Sequence, residues 1–217
     1  MHSITEENYL KAIFKIIERD NKAASTNAIA KEMNTSAASV TDMMQKLAAK
    51  DLVQYQKYKG ANLSPQGNKI ATQLIRKHRL WEVFLVEQLK FKWDQVHELA
   101  EELEHINSDD LTNRLDEYLG FPKFDPHGDP IPNADGKFTI RIQEALSKME
   151  VGSKSTIVGV REHSQSFLKF LDELKLNLGT TLEILEIYEF ENSMKVRIDG
   201  NEETVLSNAV SQNIFVK

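Results

Sequence analysis

The chain has 217 residues, contains no cysteine and has only five prolines, four of them between positions 121 and 136. Without cysteine it can form no disulfide, thiolate metal site or cysteine nucleophile, so any metal must be bound through nitrogen and oxygen. No apolar run approaches the roughly 20 residues of a transmembrane helix. Charged residues interrupt every candidate signal peptide in the first 30 positions. We therefore expect a cytoplasmic protein.

Charge is distributed unevenly along the chain. The formal net charge of −6 disfavours nucleic-acid binding by the surface as a whole. Residues 1–73, however, carry ten Lys and Arg against seven Asp and Glu, whereas residues 74–217 carry 17 against 26. Only the first third of the chain is therefore suited to face DNA phosphates. The length fits two or three small domains.

The order of predicted elements in residues 1–73 indicates a winged helix-turn-helix. Ser3 and Glu6 form a capping-box pattern before an amphipathic helix. Short helices follow at about 26–33 and 37–50, and Ser36 can cap the second. Strands near 52–55 and 62–63 then flank a basic, aromatic turn, which completes the order typical of a winged helix. The second helix offers base-contacting candidates: Ser36, Ala37, Ser39, Thr41 and Asp42. The turn offers phosphate-contacting candidates: Lys57, Tyr58 and Lys59.

The rest of the chain changes from helical to β patterning. We predict helices at about 65–89, 94–106 and 108–119, a loop or linker at 121–136, and a helix at 164–174. Strands are predicted at 155–162, 181–190, 193–199, 202–206 and 213–216, which suggests a small barrel. The fold class is therefore mainly α with β: a winged helix in residues 1–73, a helical domain in 74–136 and a barrel domain in 137–217.

Ligand-type side chains cluster in the predicted helical domain. At helical spacing, four of them share an arc of about 100° on the 94–106 helix: His97, Glu101, Glu104 and His105. The preceding helix carries His78 and Glu82 at i, i+4, and antiparallel packing of the two helices would bring both groups together. An ordinary solvated helix face is the alternative interpretation. Crowding of like charges counts against it, because the crowding costs stability unless a cation compensates.

These ligand types also limit the identity of the metal. Imidazole and carboxylate groups without sulfur suit Mn²⁺ or Fe²⁺, and they also bind Zn²⁺, Co²⁺ or Ni²⁺ in vitro. A metalloprotease is disfavoured because His97-Glu98 is followed by Glu101, where an H-E-x-x-H motif needs histidine. No Ser-His-Asp or phosphate-loop pattern is present. We therefore expect a protein without catalytic activity.

With these residues in hand, the chain resembles the diphtheria-toxin-repressor family of metal-dependent regulators. The resemblance runs over nearly the whole length and is carried by these segments: Glu7–Leu10, Arg76–Leu80 with Glu82, Val96-His97 through Glu101-x-x-Glu104-His105, and Gly128–Pro132. It implies a winged-helix domain, a helical dimerisation domain and a C-terminal SH3-like, FeoA-type barrel. It also implies a homodimer that binds a palindromic operator and controls metal transporters.

The resemblance implies two metal sites. Carried over by position, Glu101, Glu104 and His105 form the main activating site, completed by Asn8. The ancillary site takes His78, Glu82 and His97, with a barrel ligand near His163 or Ser166, of which His163 is favoured.

Three departures from the family pattern bear on function. Iron-type members often have cysteine at the place of Glu101 and methionine at the place of Asn8, so the harder Glu101 favours manganese. Short manganese regulators have carboxylates at the places of Asn8 and Lys11, which puts their two-metal arrangement in doubt here. Asp42 stands where a basic or amide residue is usual, which puts the family's operator sequence in doubt.

The hypothesis is a metal-activated transcriptional repressor that responds to Mn²⁺, with Fe²⁺ as the alternative. One rival is a winged-helix regulator that senses a small organic ligand through the barrel. Another is a metal-dependent hydrolase that uses His97, Glu101 and His105.

Overall fold

The computed structural model describes residues 2–217, and the chain divides into two compact units. The first comprises residues up to His78 together with Glu102–Asn113 and Pro132–Lys137. The second comprises Arg79–Glu101, Arg114–Ile131 and Phe138–Lys217. None of the helices among residues 2–217 is both long and apolar enough to cross a bilayer.

The first unit contains the predicted winged helix-turn-helix. Its elements follow in the expected order: α1 (Ile4–Asp20), α2 (Thr26–Glu32), α3 (Ala37–Ala49), β1 (Val53–Gln56) and β2 (Gly60–Leu63). Hydroxyl caps set the helix starts, because the first amides of a helix have no partner within it. Ser3 and Glu6 make the predicted capping box, and Ser36 accepts a hydrogen bond from the Ser39 amide. The prediction of a winged helix is confirmed.

The core of the first unit fixes α1 in place. Leu10 and Ile13 of α1 are fully buried in one cluster with Met44 and Leu47 of α3. Truncating one such side chain typically costs about 2–5 kcal/mol. This packing of α1 therefore also fixes the positions of the other α1 residues, which lie next to the buried ones.

The hairpin pairs β1 and β2 in antiparallel register, with Val53 opposite Leu63 and Gln56 opposite Gly60. Gly60 has φ +93°, and a Cβ there would lie 2.7 Å from the Ala24 carbonyl oxygen, so this turn needs glycine. The residues between the strands form the exposed wing turn.

Three helices form the middle of the chain, and each contains one boundary between the two units: α4 (Pro65–Glu87), α5 (Val96–Leu103) and α6 (Asp109–Tyr118). The predicted helix at 94–106 was too long, because α5 ends at Leu103 and Glu104 and His105 lie in the turn that follows.

The C-terminal part of the second unit is a small antiparallel β-domain. The elements are β3 (Glu144–Ala145), β4 (Lys154–Val160), α7 (Gln165–Glu173), β5 (Thr181–Tyr188), β6 (Ser193–Ile198), β7 (Glu202–Leu206), α8 (Asn208–Ser211) and β8 (Ile214–Val216). The described strands lie in the order β3-β8-β4-β5-β6-β7. Leu168 and Leu171 of α7 pack into the core that Leu182 and Val196 share with the other strands. The predicted SH3-like fold is confirmed.

Candidate metal centre

Two side chains of α1 contact the turn that follows α5. Lys11 Nζ donates to Glu104 Oε2 at 2.6 Å, and His105 Nδ1 lies 2.7 Å from Glu7 Oε2. Glu7 and Lys11 are one helical turn apart, so they project together. The first helix is thus joined to two of the predicted metal ligands.

Glu104 is the most deeply buried of the predicted ligands, with no solvent exposure. Its Oε2 atom also lies 2.6 Å from His78 Nδ1, and Lys11 Nζ lies 3.3 Å from the same nitrogen. Its Oε1 atom has no hydrogen-bond partner among residues 2–217 and lies 3.8 Å from His105 Nε2. One carboxylate oxygen is therefore bound by cationic and imidazole groups, while the other faces a second imidazole.

Asn8 supplies a further buried acceptor from α1. Its Oδ1 atom has no hydrogen-bond partner within the described chain. A buried acceptor of this kind costs about 1–3 kcal/mol unless something binds it. An amide oxygen, a carboxylate oxygen and an imidazole nitrogen are ligands that Mn²⁺ and Fe²⁺ accept. Asn8, Glu104 and His105 therefore offer donor atoms of the types that a divalent cation accepts.

The predicted common helical face is wrong in its geometry. Because α5 ends at Leu103, Glu104 and His105 do not continue the helix that carries His97 and Glu101. The His97 side chain is 40% exposed, whereas the Glu104 side chain is fully buried. Glu101 belongs to the second unit, and its Oε1 lies 3.7 Å from His97 Nε2. The contact with Lys11 was not expected from the helical spacing.

A second cluster in the second unit contains two residues that sequence reasoning missed. Glu82, Asp125 and His127 each offer a ligand atom, these atoms lie within 4.8 Å of one another, and all three residues are buried. Asp125 and His127 belong to the segment predicted as a loop or linker. The Val160 amide donates to the His127 carbonyl at 2.9 Å, which fixes this segment against β4.

Gly128 allows that close approach. It has φ +91°, and a side-chain carbon there would collide with the Val158 carbonyl oxygen and the Gly159 backbone. Glycine both adopts this conformation and leaves room for the neighbouring strand. Within the Gly128–Pro132 segment noted in the sequence, Gly128 therefore allows the chain beside His127 to approach β4 closely.

Predicted ligands of the ancillary site lie around His127. Glu82 is 3.3 Å from His97 Nδ1 through Oε1 and 3.7 Å from His127 Nδ1 through Oε2. The His163 ring stacks on His127 with centroids 4.7 Å apart. Ser166, the other barrel residue considered, is exposed. His78, also predicted for this site, belongs to the first unit and contacts Glu104.

Burial and neighbouring charges perturb the titration of this cluster. Burial opposes a charge on His127, but Glu82 and Asp125 outweigh it and raise the pKa of His127 to about 9. Burial, together with Asp129 and Glu82, raises the pKa of Asp125 to about 7. Burial lowers the pKa of His163. Because a metal binds only the deprotonated imidazole, binding here would release the proton of His127.

Comparison with known proteins finds three domain families along the chain. Residues 1–61 match the iron dependent repressor N-terminal DNA binding domain, residues 64–133 the iron dependent repressor metal binding and dimerisation domain, and residues 144–217 the FeoA domain. The diphtheria toxin repressor of Corynebacterium diphtheriae is 30% identical over 195 residues, covering 84% of each chain. This chain belongs to the diphtheria toxin repressor family. Members of the family are metal-dependent transcriptional repressors.

Solved structures related to this diphtheria toxin repressor family member include manganese regulators. One described as a manganese-dependent transcriptional repressor complex with manganese has a TM-score of 0.87 and 34% identity, covering 97% of this chain and 98% of that one. The manganese regulator SloR has a TM-score of 0.76 and 35% identity, covering 98% and 97%. This chain spans only part of the length of some curated relatives that it matches: 17% of one and 54% of another.

The predicted DNA-contacting residues of this family member lie on α3 and in the wing turn. Ala37, Ser39 and Asp42 are exposed on α3. The Ser36 hydroxyl caps α3 and the Thr41 hydroxyl donates to the Ala37 carbonyl, so both are already bound within the helix. In the turn, three side chains are exposed: Lys57, Tyr58 and Lys59.

Proposed function

We propose that this protein is a Mn²⁺-activated repressor whose activating ion is held by Asn8, Glu101, Glu104 and His105. The observation that carries the proposal is the pair of buried acceptors, Asn8 Oδ1 and Glu104 Oε1, without hydrogen-bond partners in the described chain. His105 Nε2 lies beside the second of them, 3.8 Å away. A divalent cation would satisfy these atoms as ligands, whereas an ordinary solvated helix face would have left them in water.

The choice of manganese rests on ligand chemistry. The set contains no sulfur, and Glu101 is a hard carboxylate ligand suited to Mn²⁺. Fe²⁺ is the alternative within the same family. Zn²⁺, Co²⁺ and Ni²⁺ are expected to bind the purified protein as well. Affinities of divalent metals for nitrogen and oxygen ligands generally rise from Mn²⁺ through Fe²⁺, Co²⁺ and Ni²⁺ to Cu²⁺ and fall again at Zn²⁺.

We propose a second ion position at Glu82, Asp125 and His127, completed by His97 and His163. The supporting observations are the burial of the first three residues and their mutual distances. The stacked His163 ring adds a second imidazole beside His127. His78, predicted for this group, remains a candidate ligand.

Metal controls DNA binding in this proposal through α1. Asn8 on α1 and the pair Glu104 and His105 after α5 would hold the ion together, and the ion would supply the positive charge that these donor atoms need. Because α1 packs in one core with α3, holding α1 also holds the DNA-reading helix. In a homodimer the two α3 helices must reach successive major grooves about 34 Å apart. Metal would favour the arrangement that meets a palindromic operator, by a population shift.

The proposed repressor acts on double-stranded DNA in the cytoplasm, and its function requires neither a membrane nor a catalytic step. The rival function, sensing of an organic ligand, has one supporting feature: a cavity of about 380 Å³ in the second unit, lined by residues that include Val83, Trp93, Phe124 and Leu178. Its size is within the range of small-molecule sites.

Metal-dependent selection from a random DNA library tests the proposal. With Mn²⁺ the protein should enrich a palindromic duplex, and Mn²⁺ should tighten binding to that duplex at least about tenfold, or about 1.4 kcal/mol. Equilibrium dialysis should show the ion bound at micromolar concentration. Equal DNA binding with and without a chelator, or no bound ion, would contradict the proposal and favour the organic-ligand rival.

A further inference from the structure

Glu7 stands one residue before Asn8 and contacts a proposed metal ligand without being one. Its Oε2 atom is 2.7 Å from His105 Nδ1, and the two side chains are only 24% and 10% exposed. An ionised carboxylate can only accept hydrogen bonds, so the hydrogen must lie on Nδ1 of His105. The contact therefore fixes which imidazole nitrogen is protonated.

The tautomer decides where His105 can bind a cation. A neutral imidazole with hydrogen on Nδ1 carries its free lone pair on Nε2. Nε2 is the atom 3.8 Å from Glu104 Oε1, the buried oxygen without a hydrogen-bond partner among residues 2–217. The carboxylate of Glu7 thus leaves the lone pair of His105 on the nitrogen nearest Glu104 Oε1.

The neighbouring carboxylate on α1 has a different task. Glu6 Oε1 accepts from Lys50 Nζ at 2.5 Å, and Glu6 Oε2 accepts from the Ser3 amide at 3.2 Å. Glu6 therefore closes the helix start and ties α1 to the end of α3. It offers a matched carboxylate, adjacent in sequence, that takes no part in the contact with His105.

We propose that Glu7 is a positioning residue for the activating metal site, setting the tautomer and orientation of His105 from α1. This inference rests on the proposed function, and it adds a second link between metal binding and the first helix. Removing such a carboxylate partner of a metal-ligating histidine typically weakens metal affinity 10- to 100-fold. The tautomer of His105 would change as well, because the Glu7 carboxylate is the acceptor that keeps the hydrogen on Nδ1.

The experiment compares the full-length wild type with Glu7→Gln, Glu7→Met and Glu6→Gln. Mn²⁺ affinity is measured by calorimetry, and the His105 tautomer of the metal-free protein is read from its ring ¹⁵N shifts, assigned with His105→Asn. Glu7→Met should bind Mn²⁺ about 10- to 100-fold more weakly and populate the Nε2–H tautomer. Glu7→Gln should have a Mn²⁺ affinity and a tautomer population between those of Glu7→Met and the wild type. Thermal unfolding of the metal-free Glu7 variants should remain close to wild type. Glu6→Gln should lower the unfolding midpoint and keep the wild-type tautomer and affinity.

Two failures can be told apart. If the wild type binds Mn²⁺ but Glu7→Met binds it equally well with an unchanged His105 tautomer, Glu7 has no positioning role and the proposed function stands. If the wild type itself binds no Mn²⁺, the proposed function fails and this inference fails with it.

Discussion

Lys11 on α1 donates a 2.6 Å hydrogen bond to Glu104, and the two side chains are 5% and 0% exposed. His78 shares the same carboxylate oxygen at 2.6 Å. The positive charge of Lys11 thus offsets the buried negative charge of Glu104 before any ion is bound. Glu104 uses Oε2 for this purpose, which keeps Oε1 available on the side of His105.

Replacing Lys11 by Met should destabilise the metal-free protein by about 3 kcal/mol. The reason is that losing one partner of a buried ion pair leaves the other charge uncompensated. Mn²⁺ should then raise the unfolding temperature of the variant more than that of the wild type, since the ion restores positive charge beside Glu104. Thermal unfolding in chelator and in Mn²⁺ measures both effects. Lys31→Met, on the exposed surface of α2, is the control and should change neither value. A Lys11→Met protein as stable as wild type in chelator would contradict the argument.

Glu101→Ala and His105→Ala should each abolish the Mn²⁺ response of DNA binding while leaving the dimer intact. Each change removes one proposed ligand, and neither residue belongs to a hydrophobic core cluster. Binding of the selected duplex with and without Mn²⁺, together with the mass in solution, provides the measurement. Glu102→Ala removes an exposed carboxylate from the same helix and should keep the full response. Normal Mn²⁺ responses in both ligand variants would show that the ion binds elsewhere.

The winged helix could be predicted because its signals are local. Ser3 and Glu6 cap α1 through contacts three residues apart, and Ser36 caps α3 in the same way. The proposed ligands Glu104 and His105 could be selected from residue type and family resemblance. Their position beyond the end of the helix could not be predicted, because no glycine or proline marks the end of α5. Two of the side-chain contacts that hold the following turn come from α1, more than 90 residues earlier in the chain.

Asp125 and His127 were missed for a related reason. Proline-rich sequence indicates a loop, and loops are usually exposed. Their burial depends on β4, through the Val160 amide, which no local pattern reveals. The signal available in the sequence was a histidine flanked by Asp125 and Asp129 at i−2 and i+2.

The metal-free protein should lose stability as the pH rises from 6.5 to about 9. The pKa of His127 is raised from 6.5 to about 9, so its contribution to folding is complete below pH 6.5 and is lost as the pH rises through about 9. Asp125 also contributes stability that is lost as the pH rises, but at lower pH, because its pKa is raised from 3.8 to about 7. The expected loss is on the order of 1–3 kcal/mol. Denaturant unfolding in chelator at several pH values measures it.

His127→Gln should flatten this pH dependence, because the variant has no proton to lose at that position. His2→Gln, outside the cluster, should keep the wild-type slope. Metal affinity at the Glu82, Asp125 and His127 cluster should rise over the same pH range, since binding must expel the proton from His127. An unchanged slope in His127→Gln would assign the titration to another group.

The wing turn should contribute to DNA affinity without contributing to sequence preference. Lys57, Tyr58 and Lys59 are exposed between β1 and β2; Tyr58 is 93% exposed, and Lys57 Nζ lies 5.3 Å from the centroid of its ring. Lysines in such a turn reach phosphate oxygens, which are the same at every base step. Lys57→Ala and Lys59→Ala should therefore each weaken binding to all duplexes alike and reduce the slope of log affinity against log salt by about 1. Fluorescence anisotropy with the selected and a scrambled duplex, in Mn²⁺ at several salt concentrations, measures both effects.

Lys92→Ala, which changes an exposed lysine of the second unit, should leave the slope unchanged. If the wing variants lose affinity for the selected duplex alone, the turn reads bases and α3 is not the sole source of specificity.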